Sequence, residues 1–207
     1  MNAQTEHRLI EGPAGAIEIA IDRPEGDRIG TAVIAHPHPL FGGTMTNKVV
    51  QTLARAAVLA GYEAVRFNFR GVGASAGAYD EGRGERDDME AVIAAVAPQG
   101  ALCLAGFSFG AFVTTHAVQR LQAVRELRHI MLVGTAASRF PVAPVAPELH
   151  ARTWVVHGEQ DDTVPLSAVL DWARPQVLPV TVIPGGGHFF HGQLPLLRDL
   201  ALRHLRS

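Results

Sequence analysis

The stretch Leu102-Cys103-Leu104-Ala105-Gly106-Phe107-Ser108-Phe109-Gly110 joins an apolar run to a helix-like segment at 111–118. The apolar run is typical of a buried strand. A serine between two glycines at a strand-to-helix turn is the Gly-x-Ser-x-Gly pattern of a nucleophile elbow. Because this turn is sharp, we expect strained backbone at Ser108, and a Cβ atom at 106 or 110 would hold the helix away from the strand. An ordinary turn with a solvated serine is the alternative.

Outward from this turn, strand-like and helix-like segments alternate along the chain. Continuous apolar runs predict buried parallel strands, and apolar residues at helical spacing predict amphipathic helices between them. This order favours an α/β fold with a mostly parallel central sheet, helices on both faces and a single domain over residues 1–207. Strands are predicted at 8–11 and 16–21, as edge strands, and at 31–35, 63–69, 102–105, 130–133, 153–156 and 180–183, with helices at 45–60, 84–97, 111–118, 167–172 and 194–205.

Residues 65–70, Val-Arg-Phe-Asn-Phe-Arg, alternate apolar and polar side chains. A period of two is typical of a strand with one face in the core and the other in solvent. We therefore expect this strand to be half-exposed, unlike its neighbours. An inward turn of Asn68 and Arg70 beside the strand end is an alternative that the spacing does not decide.

The segment 135–152, between the fourth and fifth strands of the predicted parallel sheet, is short and rich in proline. Pro141, Pro144 and Pro147 lack N–H donors, so a continuous helix is disfavoured there. We expect no cap domain, and a cleft that is open to solvent.

The composition excludes several classes of protein. Of the 207 residues, 47% are hydrophobic and 18% are charged, the formal net charge is −2, and no basic run is present, so no nucleic-acid partner is expected. No apolar stretch has the length of a signal peptide or a bilayer span, which predicts a cytoplasmic protein without a membrane segment. The lone Cys103 fits a reducing compartment, with packing in the core as its expected role.

A reactive serine requires a histidine base and a carboxylate that orients the histidine. Sites in parallel α/β sheets form at the carboxyl ends of the strands, and the elbow topology has the chain order serine, acid, histidine. Two polar segments meet both conditions. They are 157–165, His-Gly-Glu-Gln-Asp-Asp-Thr-Val-Pro, and 184–191, Pro-Gly-Gly-Gly-His-Phe-Phe-His.

Stabilisation of an oxyanion requires backbone N–H donors near the serine. Phe109 opens the helix after the elbow, so its N–H is free to be one donor. The second donor is expected in the loop after the third strand, where Pro37 and Pro39 lack an N–H. His38 and Leu40 remain as candidates.

Four segments resemble the α/β-hydrolase superfamily, and in particular its small, capless bacterial branch related to dienelactone hydrolases. They are 36–45, HPHPLFGGTM; 68–73, NFRGVG; the His-Gly-x-x-Asp of 157–161 before Val-Pro; and the Gly-x-x-His-Phe-Phe of 185–190. The resemblance spans nearly the whole chain. It implies Ser108 as nucleophile, Asp161 as orienting acid and His188 as base, and it favours the backbone N–H of His38 as second oxyanion donor. Dienelactone hydrolase itself uses a cysteine, so its own reaction is not implied.

Neighbouring residues compete for two of these roles. Asp162 adjoins Asp161, but side chains at adjacent strand-end positions point in different directions, so only one aspartate is expected to reach the base. His191 is interpreted as a surface or pocket-rim histidine. His157 is interpreted as a structural histidine bonded to backbone. Asp161 and His188 are therefore the predicted acid and base.

Two other sequence patterns do not predict a binding site. Residues 71–76, Gly-Val-Gly-Ala-Ser-Ala, fit a loose dinucleotide fingerprint, but further glycines follow and no helix opens there. The histidines show neither His-Glu-x-x-His nor paired-cysteine spacing. We expect no metal and no cofactor.

Together these features predict a serine hydrolase that cleaves a small ester or thioester through an acyl-enzyme. The expected partner is a small-molecule acyl substrate, and the oligomeric state is open. Peptidase, acyltransferase or perhydrolase chemistry at the same residues, and a non-catalytic binding module on the same fold, are the alternatives. The candidate pocket walls, each of which also fits the core, are Leu40, Phe41, Phe107, Phe189 and Phe190.

Overall fold

The computed structural model describes residues 5–207, and one eight-stranded sheet runs through its centre. All eight predicted strands are present. Residues 1–4 lie outside the described residues. They belong to the predicted single domain and to the segment that is expected to lack a signal peptide. The strands are β1 (Glu6–Gly12), β2 (Gly15–Asp22), β3 (Gly30–Ala35), β4 (Tyr62–Phe67), β5 (Leu102–Phe107), β6 (Leu127–Val133), β7 (Thr153–Gly158) and β8 (Val180–Ile183).

The strands lie across the sheet in the order β1-β2-β4-β3-β5-β6-β7-β8. The pairs β1–β2 and β2–β4 are antiparallel, and every other pair is parallel. The prediction of a mostly parallel sheet is confirmed. Of the two strands predicted as edge strands, β1 lies at the edge, whereas β2 pairs with β1 on one side and β4 on the other. Because β3 to β8 run in the same direction, the loops that follow them meet at one rim of the sheet.

Helices cover both faces of the sheet, as predicted. On one face, α1 (Lys48–Leu59) and α5 (Leu194–Leu205) pack together, while α2 (Arg83–Val96), α3 (Phe109–Leu121) and α4 (Leu166–Ala173) cover the other. The prediction that α1 begins at Met45 is wrong by one turn, because the side chain of Asn47 accepts the Val49 N–H at 2.9 Å and caps the helix. Met45 lies in the preceding loop and is buried.

The expectation that residues 65–70 are half-exposed is wrong. Arg66 and Asn68 are 2% and 4% exposed. The buried guanidinium of Arg66 forms an ion pair with Asp22 at 2.8 Å and donates to the Met45 carbonyl at 3.1 Å. Asn68 donates to the Glu18 carboxylate at 2.7 Å. These polar side chains are buried because they are hydrogen-bonded, a condition that alternation along the sequence does not reveal.

The segment between β6 and β7 adds no cap over the rim. It follows an irregular path to a short 3₁₀ helix, Pro147–Arg152. Its backbone is bound to the body of the protein, since the Ala143 N–H donates to Thr115 Oγ1 at 3.2 Å and the Val145 N–H donates to Gln176 Oε1 at 2.8 Å. Within residues 5–207, no helix has the length and apolar character needed to cross a membrane.

Candidate active site

The elbow serine stands in strained backbone at the carboxyl end of β5. Ser108 has φ 57° and ψ −115°, a backbone conformation that residues other than glycine rarely adopt. The sequence predicted this strain. A Cβ atom on Gly106 would collide with the backbone of Gly110, and one on Gly110 would collide with the carbonyl of Ala35. The two glycines therefore let the start of α3 pass closely over both β5 and β3.

His188 reaches the serine from the loop after β8. Its Nδ1 lies 2.7 Å from Asp161 Oδ2, and its Nε2 lies 3.1 Å from Ser108 Oγ. An ionised carboxylate only accepts hydrogen bonds, so Nδ1 carries the proton and Nε2 presents a lone pair to the hydroxyl. Gly134, at φ 54°, lies beside this ring in a backbone conformation that favours glycine, and a Cβ atom there would lie 3.1 Å from the ring of Phe107.

Asp161 follows β7, and its carboxylate is hydrogen-bonded on both oxygens. Oδ1 accepts the backbone N–H groups of Thr163 at 2.9 Å and Val164 at 2.7 Å, while Oδ2 faces His188. Burial raises the pKa of Asp161, but the bonds from His188 and Val164 outweigh it, and the net pKa lies below the ordinary value. The carboxylate is therefore ionised at neutral pH and fixes the tautomer of His188.

The competing residues in these loops lie elsewhere. Asp162 and His191 are both exposed. The buried ring of His157 contacts the Val164 carbonyl through Nε2 at 2.8 Å, which agrees with its interpretation as a backbone-bonded histidine. A second contact, which residue spacing does not reveal, brings the same Nε2 to 3.3 Å from Asp161 Oδ2.

The loop after β3 lies against the elbow, since a Cβ atom on Gly110 would collide with the carbonyl oxygens of Ala35 and His36. Neither the N–H of His38 nor that of Phe109 has a hydrogen-bond partner in the part of the chain that is described. The N–H of Leu40, the other candidate, donates to Nδ1 of the His38 ring at 3.2 Å. Gly43 completes the turn, where a Cβ atom would collide with the Pro37 carbonyl.

The ring of His36 holds the peptide that precedes His38. Its Nδ1–H donates to the Pro37 carbonyl at 2.6 Å, and its Nε2 accepts the Phe69 N–H at 3.0 Å. The ring is fully buried, and burial lowers its pKa to about 4. The Met45 N–H, farther along the same loop, donates to Asn68 Oδ1 at 2.8 Å. This link between the loop and the segment that follows β4 has no signal in the sequence pattern.

The predicted pocket walls divide into rim and core. Leu40 and Phe41 are 67% and 78% exposed, and Phe189 is 44% exposed. The Phe41 ring contacts that of His38 and the Phe189 ring contacts that of His188, with centroids 4.8 and 5.1 Å apart. We call these three exposed apolar side chains the rim. Phe107 is buried under the site, with its ring centroid 4.9 Å from that of His188. Phe190 is fully buried in the core beneath α1 and α5, so it is not a pocket wall.

Two half-buried rings, Tyr79 and Phe140, form a second wall beside His38. The ring centroid of His38 lies 4.8 Å from that of Tyr79 and 5.8 Å from that of Phe140. Burial, and then the charge of Arg139, lower the pKa of His38, so its ring is neutral. We call His38, Tyr79 and Phe140 the aromatic wall. Across residues 5–207, no group of three or more histidine, cysteine or acidic side chains is placed to hold a metal ion.

Comparison with known proteins connects this geometry to a family. Residues 16–141, which include β2 to β6 and the elbow, match the model of the X-Pro dipeptidyl-peptidase (S15) family. The chain belongs to this family of α/β-hydrolases. The matched region ends before Asp161 and His188. An uncharacterized protein of Rickettsia prowazekii, RP471, is 31% identical over 196 residues, which are 87% of this chain and 80% of that protein.

Solved structures of α/β-hydrolases superpose on nearly the whole chain. XC6422 from Xanthomonas campestris, described as an α/β serine hydrolase without lid, is 36% identical, with a TM-score of 0.88 over 100% of this chain and 95% of that one. An α/β serine hydrolase homologue from Coxiella burnetii is 39% identical, with a TM-score of 0.84 over 97% of each chain. The predicted superfamily and the predicted capless fold are confirmed, and the chain is a member of the serine hydrolases of this fold.

Proposed function

We propose that this α/β-hydrolase cleaves small esters or thioesters through an acyl-enzyme on Ser108. The observation that supports the proposal is the continuous chain of contacts from Asp161 Oδ2 through the His188 ring to Ser108 Oγ, with distances of 2.7 and 3.1 Å. Hydrogen-bonded serine, histidine and carboxylate groups of this kind activate a hydroxyl for acyl transfer.

In the first half-reaction, Ser108 Oγ attacks the acyl carbonyl as His188 Nε2 takes the hydroxyl proton. The tetrahedral intermediate collapses when the same proton passes from Nε2 to the departing oxygen or sulfur, which leaves as an alcohol or thiol. A water molecule then gives a proton to His188 and attacks the acyl-enzyme. Transfer of that proton to Ser108 Oγ releases the carboxylic acid and restores the resting serine.

The oxyanion of each tetrahedral intermediate accepts the N–H groups of Phe109 and His38. Phe109 is the first residue of α3, so the positive end of the helix dipole adds to the attraction between its N–H and the oxyanion. The Leu40 N–H is engaged by the His38 ring, which favours His38 over Leu40 as the second donor. Removal of one such donor costs roughly 10²- to 10³-fold in rate in enzymes of this class.

The rim supports a small substrate. Leu40, Phe41 and Phe189 supply exposed apolar surface around Ser108, and the segment between β6 and β7 builds no lid over them. A short acyl group or an aryl leaving group gains contact with the rim and the aromatic wall. A long alkyl chain extends beyond the rim into water, where it gains no further burial.

The match to the X-Pro dipeptidyl-peptidase family supports a second candidate, cleavage of an amide bond after proline. A dipeptidyl substrate brings a free ammonium group, which an unengaged carboxylate beside the site would bind. The exposed acids nearest Asp161 have other partners, since Glu159 accepts the Gly185 N–H at 2.8 Å and Asp162 accepts from the Thr163 hydroxyl at 3.3 Å. We therefore place ester cleavage first.

The test combines active-site labelling with a substrate panel. We expect a fluorophosphonate probe to label the wild-type protein and Ser167→Ala, a control at an exposed serine of α4, and to spare Ser108→Ala. p-Nitrophenyl acetate and an acyl-thioester should be hydrolysed, with kcat lower by roughly 10⁴- to 10⁶-fold in Ser108→Ala. A wild-type protein that the probe does not label would be a binding module. Faster cleavage of glycyl-proline p-nitroanilide than of the esters would select the peptidase.

A further inference from the structure

A second histidine lies against the carboxylate that faces His188. His157 is the last residue but one of β7, its side chain is fully buried, and its Nε2 lies 2.8 Å from the Val164 carbonyl oxygen and 3.3 Å from Asp161 Oδ2. Neither the acyl transfer nor the oxyanion stabilisation described above uses this ring.

The tautomer of His157 follows from its partners. A carbonyl oxygen only accepts, so Nε2 carries the proton and donates it to the Val164 carbonyl at 2.8 Å. Asp161 Oδ2 lies 3.3 Å from the same nitrogen, close enough for the N–H dipole to attract the negative charge of the carboxylate. Nδ1 is buried and has no hydrogen-bond partner within the described residues 5–207. Burial lowers the pKa of His157, which keeps the ring neutral. The N–H at Nε2 is therefore a fixed donor at neutral pH.

The three groups form a closed arrangement. The Val164 N–H donates to Asp161 Oδ1 at 2.7 Å, and the Val164 carbonyl accepts from His157, whose N–H also contacts Oδ2. His157 thus holds the peptide that follows Val164, Asp161 holds the peptide that precedes it, and the His157 ring lies beside Oδ2 rather than Oδ1. Rotation of the carboxylate away from His188 would break contacts on both oxygens.

We infer that His157 is a positioning residue, which holds the Asp161 carboxylate so that Oδ2 faces His188 and which takes up part of the negative charge on Oδ2. The inference rests on the proposed function, because it assigns His157 to the same reaction. His157 does not touch Ser108 and does not line the cleft, so it acts only through Asp161.

Removal of this donor has two separable consequences. The carboxylate is less tightly oriented, so kcat falls by roughly 10- to 100-fold while KM stays the same. The negative charge of Oδ2 also loses the nearby N–H dipole of His157. Oδ2 therefore stabilises protonated His188 more strongly. The acid-side midpoint of kcat/KM against pH therefore moves to higher pH, by about 0.5 unit. A role in packing alone would lower activity without moving the midpoint.

The experiment compares four variants with the wild-type protein on p-nitrophenyl acetate from pH 5 to 9. His157→Phe keeps the ring volume and removes the donor, whereas His157→Gln can place an amide N–H where Nε2 lies. His157→Asn ends near the position of Nδ1 and restores no donor. His129→Phe replaces another buried histidine, which lies near the amino-terminal end of β6 and so away from the strand ends that carry Ser108 and His188. We expect a lower kcat and a raised midpoint in the Phe and Asn variants at 157, and wild-type values in His157→Gln and His129→Phe.

An unshifted midpoint in both His157→Phe and His157→Asn would overturn the inference, whatever their activity. If His157→Phe does not fold, the comparison of Asn with Gln decides. The histidine ¹³C resonance of residue 188, assigned with His188→Gln, supplies the same midpoint by NMR without substrate. A wild-type protein that hydrolyses nothing would thus remove the proposed function, while the NMR midpoints would still test the role of His157.

Discussion

The Nδ1–H of His36 donates a hydrogen bond to the Pro37 carbonyl at 2.6 Å, and this carbonyl belongs to the same peptide unit as the N–H of His38. A trans peptide is planar, and its C=O and N–H point in opposite directions. The bond that holds the Pro37 carbonyl toward the buried His36 ring therefore aims the His38 N–H the other way. The Phe69 N–H, in the segment that follows β4, donates to the other nitrogen of the His36 ring. This segment therefore helps to fix the ring, and through it the direction of the proposed oxyanion donor.

Replacement of His36 should disturb catalysis more than substrate binding. His36→Phe retains a buried ring but holds neither the Pro37 carbonyl nor the Phe69 N–H. We expect kcat to fall by roughly 10²-fold, as when one oxyanion donor is misplaced, with a KM within about twofold of wild type. Steady-state kinetics on p-nitrophenyl acetate measure both. A kcat within threefold of wild type, in a variant with native circular dichroism, would contradict this role.

Acid should destabilise the fold through buried neutral histidines. Burial lowers the pKa of His36 and of His129 from 6.5 to about 4. Between these pH values the unfolded chain binds more protons than the folded protein, so the free energy of unfolding falls as the pH falls, by about 3 kcal/mol per histidine at pH 4. Above pH 6.5 this contribution is constant.

Urea unfolding at pH 7, 6, 5 and 4.5 measures the effect. His129→Phe removes one of the two groups, so its free energy of unfolding should fall less steeply with acid than that of the wild-type protein. Equal slopes for the two proteins would show that His129 is not buried in its neutral form.

The two adjacent aspartates should differ sharply in their effect on activity. Asp161→Asn turns an obligate acceptor into an amide that can donate to Nδ1 of His188, which favours the wrong tautomer and should lower kcat by roughly 10⁴-fold. Asp162→Asn changes an exposed side chain and should leave kcat within about twofold. The pair is matched in chemistry and position, so kcat values in the reverse order would reassign the acid.

Chain-length preference should follow from the absence of a lid. In a p-nitrophenyl ester series from acetate to palmitate, we expect kcat/KM to be highest for short chains, because little apolar surface exists to bury further methylenes at about 0.8 kcal/mol each. Activity should not jump at the critical micelle concentration of the substrate. A steady increase beyond octanoate would contradict an open site without a lid.

The sequence was most informative where a local backbone requirement leaves few residues available. The elbow is such a case, because the conformation at Ser108 and the close packing of α3 on β5 demand glycine at 106 and 110. The succession of strands and helices along the chain, and the presence of helices on both faces of the sheet, also followed from the sequence, since hydrophobic periodicity depends on burial. The placement of Asp161 and His188 came from motif resemblance together with strand ends.

What the sequence did not reveal depends on long-range contacts. Arg66 is buried because Asp22 lies opposite, 44 residues away. Phe189 and Phe190 are adjacent and identical in type, yet one is on the rim and the other in the core, because the backbone turns at Phe190 with φ 51°. The contact of His157 with Asp161 depends on how the loop after β7 folds back. None of these has a signal in residue spacing.

The firmly bound segment after β6 has a consequence for the fate of the proposed acyl-enzyme on Ser108. With no cover to exclude the surrounding medium, the ester on Ser108 meets every small nucleophile dissolved in it. Methanol, hydroxylamine or a thiol therefore competes with water for the same acyl group, and the ratio of transferred to hydrolysed product should rise in proportion to the concentration of the added acceptor. The proportion of hydrolysis to transfer is set by the composition of the solution more than by the protein.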